Sequence, residues 1–255
     1  MTEDEKDRTP LPYSDPETTT PERVLLIQAH PDDAEFSCSG TIAKWAAAGA
    51  EIHYCSITSG DKGSEDPSLT GVTLANMRED EQRRACEILG VRSVTFLGYP
   101  DAMLVPDLNL RRELVRVMRR IRPTTLVCQD PTSRYSGREY INHPDHIAAG
   151  EASLAAVFPS TRDRMTFPEL LEEGLEPHKV PNVYIYGAAA PDCFVDITDS
   201  IETKIAALKA HASQLGDWDP SEMIYEWGRR SAYSDPQRRP ENGLYAESFK
   251  YMHIG

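Results

Sequence analysis

The sequence contains no long apolar run, and this absence excludes a protein that crosses a membrane on a helix. Its longest wholly apolar runs, such as 24–27 and 46–48, are only a few residues long, whereas a transmembrane helix needs about 20 predominantly apolar residues. Segment 1–21 is rich in Asp, Glu, Thr and Pro and has no apolar core either. We therefore expect a disordered leader there rather than a signal peptide, followed by a single domain over residues 22–255.

Positive charge is also in short supply. The chain has 27 Lys and Arg residues against 41 Asp and Glu residues, which gives a net charge of −14 at pH 7. Such a chain would repel nucleic acids and anionic membranes, so neither is expected as a partner. A small-molecule substrate is compatible with it, because a pocket can differ in charge from the whole surface. Self-association into a homo-oligomer is left open.

Closely spaced cysteines are missing as well. The five cysteines stand at positions 38, 55, 86, 128 and 193, so their number is odd and they form no CxxC metal knuckle. Two of them, Cys55 and Cys128, fall inside segments that have the composition of buried strands. Free thiols packed in the core of a cytoplasmic protein are the simplest interpretation.

The sequence does contain short apolar runs that alternate with helix-like segments. Strands are predicted at 23–29, 51–58, 94–97 and 125–128, and helices at 40–48, 74–89, 110–121 and 144–157. This order predicts an α/β fold with a Rossmann-like, mostly parallel sheet and helices on both faces. The first strand is followed by HPDD and not by GxGxxG or GxxxxGK, which excludes a nucleotide-binding module.

The rest of the chain is less regular. Its composition predicts a helical stretch at 167–174, strands at 182–186 and 194–196, and a helix at 200–211. The tail, 214–255, carries two tryptophans, several tyrosines and scattered Pro and Gly. We expect this C-terminal part to be irregular.

Polar residues cluster where the predicted strands end. The first strand runs into His30, Asp32 and Asp33, the second into the motif TSGDKG (58–63), and the fourth is followed by the motif HPDH (143–146). Ligands of open parallel sheets bind beyond the carboxyl ends of the strands. We therefore expect these clusters to meet in one site.

The residue types in these clusters are those of a catalytic zinc site. An imidazole nitrogen of His30 and a carboxylate oxygen of Asp33 can reach one metal ion, and His146 from another loop adds a third ligand. Three protein ligands leave a position for water, whose pKa zinc lowers to roughly 7. Asp32 and His143 lie beside these ligands in sequence, so spacing alone leaves open which carboxylate and which imidazole bind the metal. The groups left over would supply a base for the water and an acid for a leaving amine.

Together the motifs resemble a known family. The stretch AHPDDAEFSCSGTIAKWAAAG (29–49) and HPDH (143–146) are similar to those of the LmbE/PIG-L family of zinc-dependent de-N-acetylases. The similarity extends through TSGDKG and the Arg78-Glu79-x-Glu81 segment to about Ala156. The family includes the deacetylases of mycothiol and bacillithiol synthesis and of N-acetylglucosaminyl-phosphatidylinositol. The resemblance implies a hydrolase that removes an N-acetyl or related N-acyl group from an amino sugar or from a metabolite that contains one.

The same resemblance implies a role for each site residue. The expected zinc ligands are His30, Asp33 and His146. Asp32 is the expected general base. His143 is the expected general acid or electrostatic stabiliser, with Asp145 as its charge partner. Arg78 matches a family arginine that contacts the substrate.

Two positions depart from the family pattern. Ser39 stands before Gly40 where the family commonly has two glycines. Ile141 stands where some members carry a tyrosine that assists the oxyanion, and Tyr140 lies one residue further upstream. Glu35 is expected either to orient a ligand histidine or to lie on the surface.

A second class of enzyme has the same ligand types. Two histidines and one carboxylate also form the metal site of non-haem Fe(II) oxygenases. The spare carboxylate of Asp32 and the alternating α/β order favour hydrolysis instead. A metal-binding protein without activity is disfavoured because both Asp32 and His143 are present.

Overall fold

The first half of the chain forms parallel strands joined by helices, as the sequence predicts. The computed structural model describes residues 16, 18–236 and 244–255. Its elements up to the fifth helix are β1 (Arg23–Gln28), α1 (Asp33–Ser37), α2 (Ser39–Ala47), β2 (Glu51–Thr58), α3 (Gly71–Leu89), β3 (Ser93–Tyr99), α4 (Leu108–Ile121), β4 (Thr125–Gln129), β5 (Tyr135–Ser136), β6 (Tyr140–Ile141) and α5 (Pro144–Ala155). Helix α1, which begins at Asp33, and the short hairpin of β5 and β6 are the elements that the sequence did not predict here.

The second half is more regular than its composition predicts. A π-helical turn over Ala156–Ser160 follows α5. The elements after it are α6 (Glu169–Glu172), β7 (Asn182–Tyr186), β8 (Cys193–Asp196), α7 (Ile201–Lys209), α8 (Ala212–Leu215), α9 (Ser221–Ser234) and β9 (Ala246–His253). The tail that was expected to be irregular therefore supplies a long helix and a strand.

Within the described residues, seven strands form one sheet in the order β3-β2-β1-β4-β7-β9-β8. The neighbours from β3 to β7 pair in parallel, whereas β9 is antiparallel to both β7 and β8. Alternate residues of β1 face opposite sides of the sheet. Val24 and Leu26 pack in a core with α2, α3 and α7, and Leu25 and Ile27 pack in a second core with α4 and α5. The predicted sheet covered by helices on both faces is confirmed.

The carboxyl ends of the parallel strands lie along one edge of this sheet. β1 ends at Gln28, β2 at Thr58, β3 at Tyr99 and β4 at Gln129. The loops that follow them carry HPDD, TSGDKG, Asp101 and the segment leading to HPDH. The fold thus brings these loops to the same edge, where a ligand site is expected.

Two expectations about the chain as a whole can be compared with the structure only in part. Residues 1–15 and 17 of the expected leader lie outside the described residues. Pro16 is described, and its carbonyl oxygen accepts a hydrogen bond of 2.8 Å from the hydroxyl of Tyr184 in β7. No helix in the described part of the chain combines the length and the apolar composition that a membrane span requires.

A buried ion pair explains why β9 was missed. Glu247 interrupts the apolar pattern of this strand, yet it is only 5% exposed. Its carboxylate accepts hydrogen bonds from the backbone N–H groups of Gly40 and Thr41 and from the ammonium of Lys204. The charge on β9 is therefore matched by a partner on α7 and by the first turn of α2, neither of which is visible in the local sequence.

We expect Glu247→Leu to lower the free energy of unfolding by about 3–5 kcal/mol, because it leaves the charge of Lys204 buried without its partner. The measurement is equilibrium unfolding in urea. The control is Lys250→Ala on the same strand, whose ion pair with Asp192 is half-exposed and should contribute less than about 1 kcal/mol. Equal losses in the two variants would show that the buried pair does not hold the strand.

Candidate metal centre and active site

The turn after β1 directs two adjacent carboxylates in different directions. Asp32 has a left-handed backbone conformation, with φ of 95°. The carboxylate of Asp33 folds back on the strand, where its Oδ2 accepts from the backbone N–H groups of Ala29 (3.0 Å) and His30 (2.9 Å). The carboxylate of Asp32 instead lies 3.2 Å from Nη2 of Arg78. The two side chains are thereby free to serve different purposes.

Three ligand atoms converge beside this turn. Nδ1 of His30 lies 3.3 Å from Nε2 of His146, and the same Nε2 lies 3.0 Å from Oδ1 of Asp33. His146 comes from the first turn of α5, which follows the β5–β6 hairpin. The side chains of the three predicted ligands therefore lie together at the edge of the sheet, in a largely buried position, and a ring nitrogen of His143 lies within 4.8 Å of ring nitrogens of His30 and His146.

The far ring nitrogens of both histidines face oxygen acceptors. Nε2 of His30 lies 3.0 Å from Oδ1 of Asp101 and 3.3 Å from Oδ2 of Asp145. Nδ1 of His146 lies 2.9 Å from Oδ1 of Asn142, whose amide nitrogen donates to a backbone carbonyl and so fixes the orientation of the amide. These oxygens require an N–H on the ring atoms that they face.

The near ring nitrogens consequently present lone pairs to each other. In the neutral rings Nδ1 of His30 and Nε2 of His146 are then both acceptors, and Oδ1 of Asp33 adds a third lone pair 3.0 Å from Nε2 of His146. A cation between them relieves the repulsion. Imidazole nitrogens whose other N–H binds a carboxylate or an amide oxygen are the usual ligands of a protein-bound zinc. The donor set therefore fits a metal ion of this kind.

The electrostatics of the cluster favour positive charge. Burial lowers the pKa of His30, but the surrounding carboxylates, Asp101 foremost, outweigh it and raise that pKa to about 12. Burial also lowers the pKa of His146, and Asp33 raises it above its ordinary value. Burial raises the pKa of Asp33, but the attraction of His146 holds it well below the usual range. The cluster thus attracts a cation, whether a proton or a metal.

His143 is oriented by the helix that it caps. It is the N-cap residue of α5, and its Nδ1 accepts a hydrogen bond of 3.2 Å from the backbone N–H of Asp145. Its ring lies 4.7 Å from that of His30, centroid to centroid. Burial, and next the charge of His30, lowers the pKa of His143. Because Nδ1 is an acceptor, Nε2 is the atom that carries an exchangeable proton.

The carboxylate of Asp145 has partners besides His143, the one that the resemblance implied. Its oxygens accept from the backbone N–H groups of Ala102 (2.7 Å) and Leu104 (3.1 Å), and one of them faces His30. Asp145 therefore contacts His30 directly, and its charge also raises the pKa of His143, whose expected partner it stays. Asp145 is fully buried, and the backbone N–H groups that bond to its carboxylate belong to the loop after β3.

Arg78 is buried rather than open to a substrate. The residue is 4% exposed, and Nη2 donates to the carbonyl of Pro31 (2.7 Å) while Nη1 donates to the carbonyl of Gly60 (3.2 Å). Nη2 also forms the ion pair with the carboxylate of Asp32. Its role as a substrate contact stays a prediction, and its observed role is to hold the HPDD turn and the TSGDKG loop together.

The sequence analysis missed two residues that orient the ligand histidines, Asp101 and Asn142. Asp101 follows β3 as closely as HPDD follows β1, so the rule of strand ends would have pointed to it. Asn142 directly precedes HPDH. Neither residue belongs to a motif of predicted metal ligands. Their role becomes apparent only once the structure shows which oxygen atoms face the far ring nitrogens of His30 and His146.

The structure also locates Glu35 and the two residues near the position of the family tyrosine, Tyr140 and Ile141. Glu35 was expected either on the surface or against a predicted ligand histidine. It is fully buried, and its carboxylate accepts a hydrogen bond from Nε2 of Gln82 at 3.0 Å. Ile141 is exposed, and the hydroxyl of Tyr140 donates to Oδ1 of Asn142 over 3.4 Å. Tyr140 therefore lies near His146, because both side chains bond to Oδ1 of Asn142.

Comparison with known proteins gives a consistent result. A family model described as PIG-L, GlcNAc-PI de-N-acetylase, matches residues 25–157. A diacetylchitobiose deacetylase of Thermococcus kodakarensis is 35% identical over 203 residues, which are 78% of this chain and 74% of the relative. A 1D-myo-inositol 2-acetamido-2-deoxy-alpha-D-glucopyranoside deacetylase of Saccharopolyspora erythraea is 30% identical over 255 aligned residues, covering 78% of this chain and 80% of the relative.

The fold is similar to that of a solved deacetylase. The structure of the N,N'-diacetylchitobiose deacetylase from Pyrococcus horikoshii in complex with an inhibitor superposes with a TM-score of 0.82 at 29% sequence identity. The superposition covers 91% of this chain and 84% of that one. The similarity therefore extends beyond the segment that the family model matches.

We expect Asp101→Asn to weaken binding of Zn²⁺ by about 10- to 100-fold, because the neutral amide orients and polarises His30 less strongly than the carboxylate does. Competition with a chromophoric chelator measures the affinity. The matched control is Asp130→Asn at the same edge of the sheet, where a carboxylate of similar burial bonds only to Thr132. Equal affinities in the two variants would argue against the role of Asp101.

Proposed function

The chain belongs to the PIG-L family of de-N-acetylases, and on that premise we propose that it deacetylates an N-acetylglucosamine-containing small molecule at a zinc centre held by His30, Asp33 and His146. The observation that carries this proposal is the close approach of Nδ1 of His30, Nε2 of His146 and the carboxylate of Asp33, with the far nitrogen of each ring held by an oxygen acceptor. Bound Zn²⁺ supplies Lewis acidity there, which polarises a carbonyl oxygen and makes water acidic enough to react near neutral pH.

Asp32 is proposed as the base that removes a proton from the attacking water. Its carboxylate belongs to the residue next to the proposed ligand Asp33 and forms an ion pair with Arg78, and it lies close enough to His30 and His146 for their charges to interact. Burial raises the pKa of Asp32 to about 6, against the lowering effect of the Arg78 guanidinium. A base with a pKa near the working pH can both take a proton from water and release it later in the cycle.

His143 is proposed as the acid that protonates the leaving nitrogen. Amine expulsion from an amide requires a proton on that nitrogen. The imidazolium form of His143 can give that proton from Nε2, and the proton that Asp32 removes from the attacking water balances the cycle. The ring is 4.7 Å from His30 and 5.4 Å from His146, centroid to centroid, so the acid stands beside the metal ligands. Asp145 supports this arrangement through its backbone N–H and through His30.

The substrate class comes from the relatives and is supported by the rim of the site. The relatives named above are deacetylases of diacetylchitobiose and of an acetamido-glucopyranoside of inositol. Tyr140 and Tyr135 are exposed on the hairpin that leads to HPDH. Exposed aromatic rings of this kind offer apolar faces to a sugar ring, whose axial C–H groups are apolar. The oxygenase alternative finds no support among these relatives.

We expect the Zn²⁺-loaded enzyme to release acetate from N-acetylglucosamine or N,N'-diacetylchitobiose, and chelation to abolish that release. Asp32→Asn should keep its zinc and lower kcat by about 10²- to 10⁴-fold, because the amide cannot accept the proton. Acetate is quantified enzymatically, and metal content by mass spectrometry.

The control for this variant is Asp80→Asn, whose side chain is 65% exposed on α3, so activity should be unchanged. Wild-type turnover in Asp32→Asn would remove that residue from the role of base. Iron-dependent oxygen consumption without acetate release would instead support the non-haem Fe(II) alternative.

The proposed role of His143 as the acid is tested by comparing substrates with different leaving groups. We expect His143→Gln to lower kcat for an N-acetyl sugar by about 10²-fold or more, because the departing amine is no longer protonated. Hydrolysis of p-nitrophenyl acetate should fall far less, since nitrophenolate leaves without a proton. A loss of the same size on both substrates would assign His143 to binding or to metal retention instead.

A further inference from the structure

The peptide group between Pro31 and Asp32 is held from both sides by helix α3. Its carbonyl oxygen, on Pro31, accepts 2.7 Å from Nη2 of Arg78. Its N–H, on Asp32, donates 3.1 Å to Oε1 of Gln82. Arg78 and Gln82 are four residues apart on α3 and therefore lie on the same face of the helix. We call this arrangement the peptide clamp.

The orientation of the Gln82 amide follows from its partners. A backbone N–H can only donate, so the atom of Gln82 that faces Asp32 is the oxygen. The same holds for Gln28, whose Oε1 accepts from the N–H of Ala34 at 3.3 Å and whose Nε2 donates to Oε1 of Gln82 at 2.8 Å. Nε2 of Gln82 is then directed to Oε1 of Glu35. The chain of bonds thus ends on a carboxylate.

That carboxylate faces His211 in a charge contact and not a hydrogen bond, since Oε2 of Glu35 and both ring nitrogens of His211 have no hydrogen-bond partner among the described residues. Both Glu35 and His211 are completely buried, and Nε2 of His211 lies 3.5 Å from Oε2 of Glu35. The residues after His211 are fixed to the same helix, since the N–H and hydroxyl of Ser213 donate to the carboxylate of Glu81 at 2.8 and 2.6 Å. The segment 211–214 therefore anchors the far end of the clamp.

The turn needs such support because of its backbone. A non-glycine residue at φ of 95° brings its Cβ close to the backbone and is unfavourable unless the surroundings enforce it. This conformation is also what separates the carboxylate of Asp32 from that of Asp33. Without the clamp the turn could relax, and the base would move relative to the metal ligands.

We propose that Gln82 and His211 are positioning residues for Asp32: Gln82 holds the N–H of the strained turn, and His211 holds Gln82 through Glu35. The inference rests on the proposed function only in taking Asp32 as the base. Neither side chain faces the metal ligands in the contacts above, and neither faces the open side of the site. Substitution of either residue is therefore expected to lower kcat and to leave KM and metal content unchanged.

The experiment compares Gln82→Leu, His211→Leu and the double variant, each loaded with Zn²⁺, in acetate release. Each single variant should lower kcat by about 10- to 100-fold, as expected for a misplaced catalytic group, with KM and bound zinc within about twofold of wild type. Because His211 acts through Gln82, the double variant should be no slower than Gln82→Leu alone. Independent effects that multiply in the double variant would overturn the proposal.

A second readout does not depend on activity. Hydrogen–deuterium exchange of a peptide covering residues 29–36 should be faster in both single variants, because the N–H groups of Asp32 and Ala34 lose their acceptor or its support. Unchanged exchange would contradict the clamp. If the wild-type enzyme released no acetate from any sugar tested, the proposed function would fail, and the exchange experiment would still decide the clamp.

Matched controls lie at the opposite edge of the sheet. Asn182→Leu removes an amide that bonds to the carbonyl of Thr124, and His178→Leu removes an imidazole that bonds to the carbonyl of Pro123. Both should lower stability without changing kcat or the exchange of 29–36. If His211→Leu does not fold, His211→Asn replaces it, and a kcat equal to wild type in that folded variant counts against the proposal.

Discussion

Asp32 and Asp33 are consecutive residues whose carboxylates have to lie in different environments. In an extended or helical backbone, neighbouring side chains would diverge by a fixed geometry that the site cannot adjust. The left-handed conformation of Asp32 turns its carboxylate toward Arg78 and leaves that of Asp33 against the end of β1. Helix α1 begins at Asp33, and α3 packs its polar face against the turn. Much of the polar interior of the protein serves this one change of direction.

His30 and His146 depend on a second constraint, which is that an imidazole has two nitrogens and only one can face the proposed metal. Asp101, in the loop after β3, contacts Nε2 of His30, and Oδ1 of Asn142 contacts Nδ1 of His146. The orientation of each ring is therefore decided by a residue outside the ligand set. Since the site is buried, these contacts act in a medium of low dielectric and are stronger than the same contacts on the surface.

The sequence was sufficient for the sheet from β1 to β7 and for the residues that meet at its edge. Apolar runs and strand ends are local features, and HPDD and HPDH carry ligand types at ligand spacing. The sequence could not predict the hydrogen-bond and charge partners that only tertiary packing brings together. Gln82 lies in a charged run that reads as a solvated helix face, and His211 lies in a region with no motif of its own. Asp145 was assigned to its neighbour in sequence, whereas its carboxylate reaches His30 across the site.

The place of β9 has a consequence for how the chain is made. This strand lies between β7 and β8 in the sheet, although it follows both of them in the chain. During synthesis β7 and β8 leave the ribosome without the strand that joins them, and the open edge of β7 is a surface on which other strands can add. Lys204 must likewise stay hydrated until Glu247 arrives. Completion of the sheet is therefore a late event, and a nascent chain halted before β9 would be a candidate for chaperone binding or aggregation.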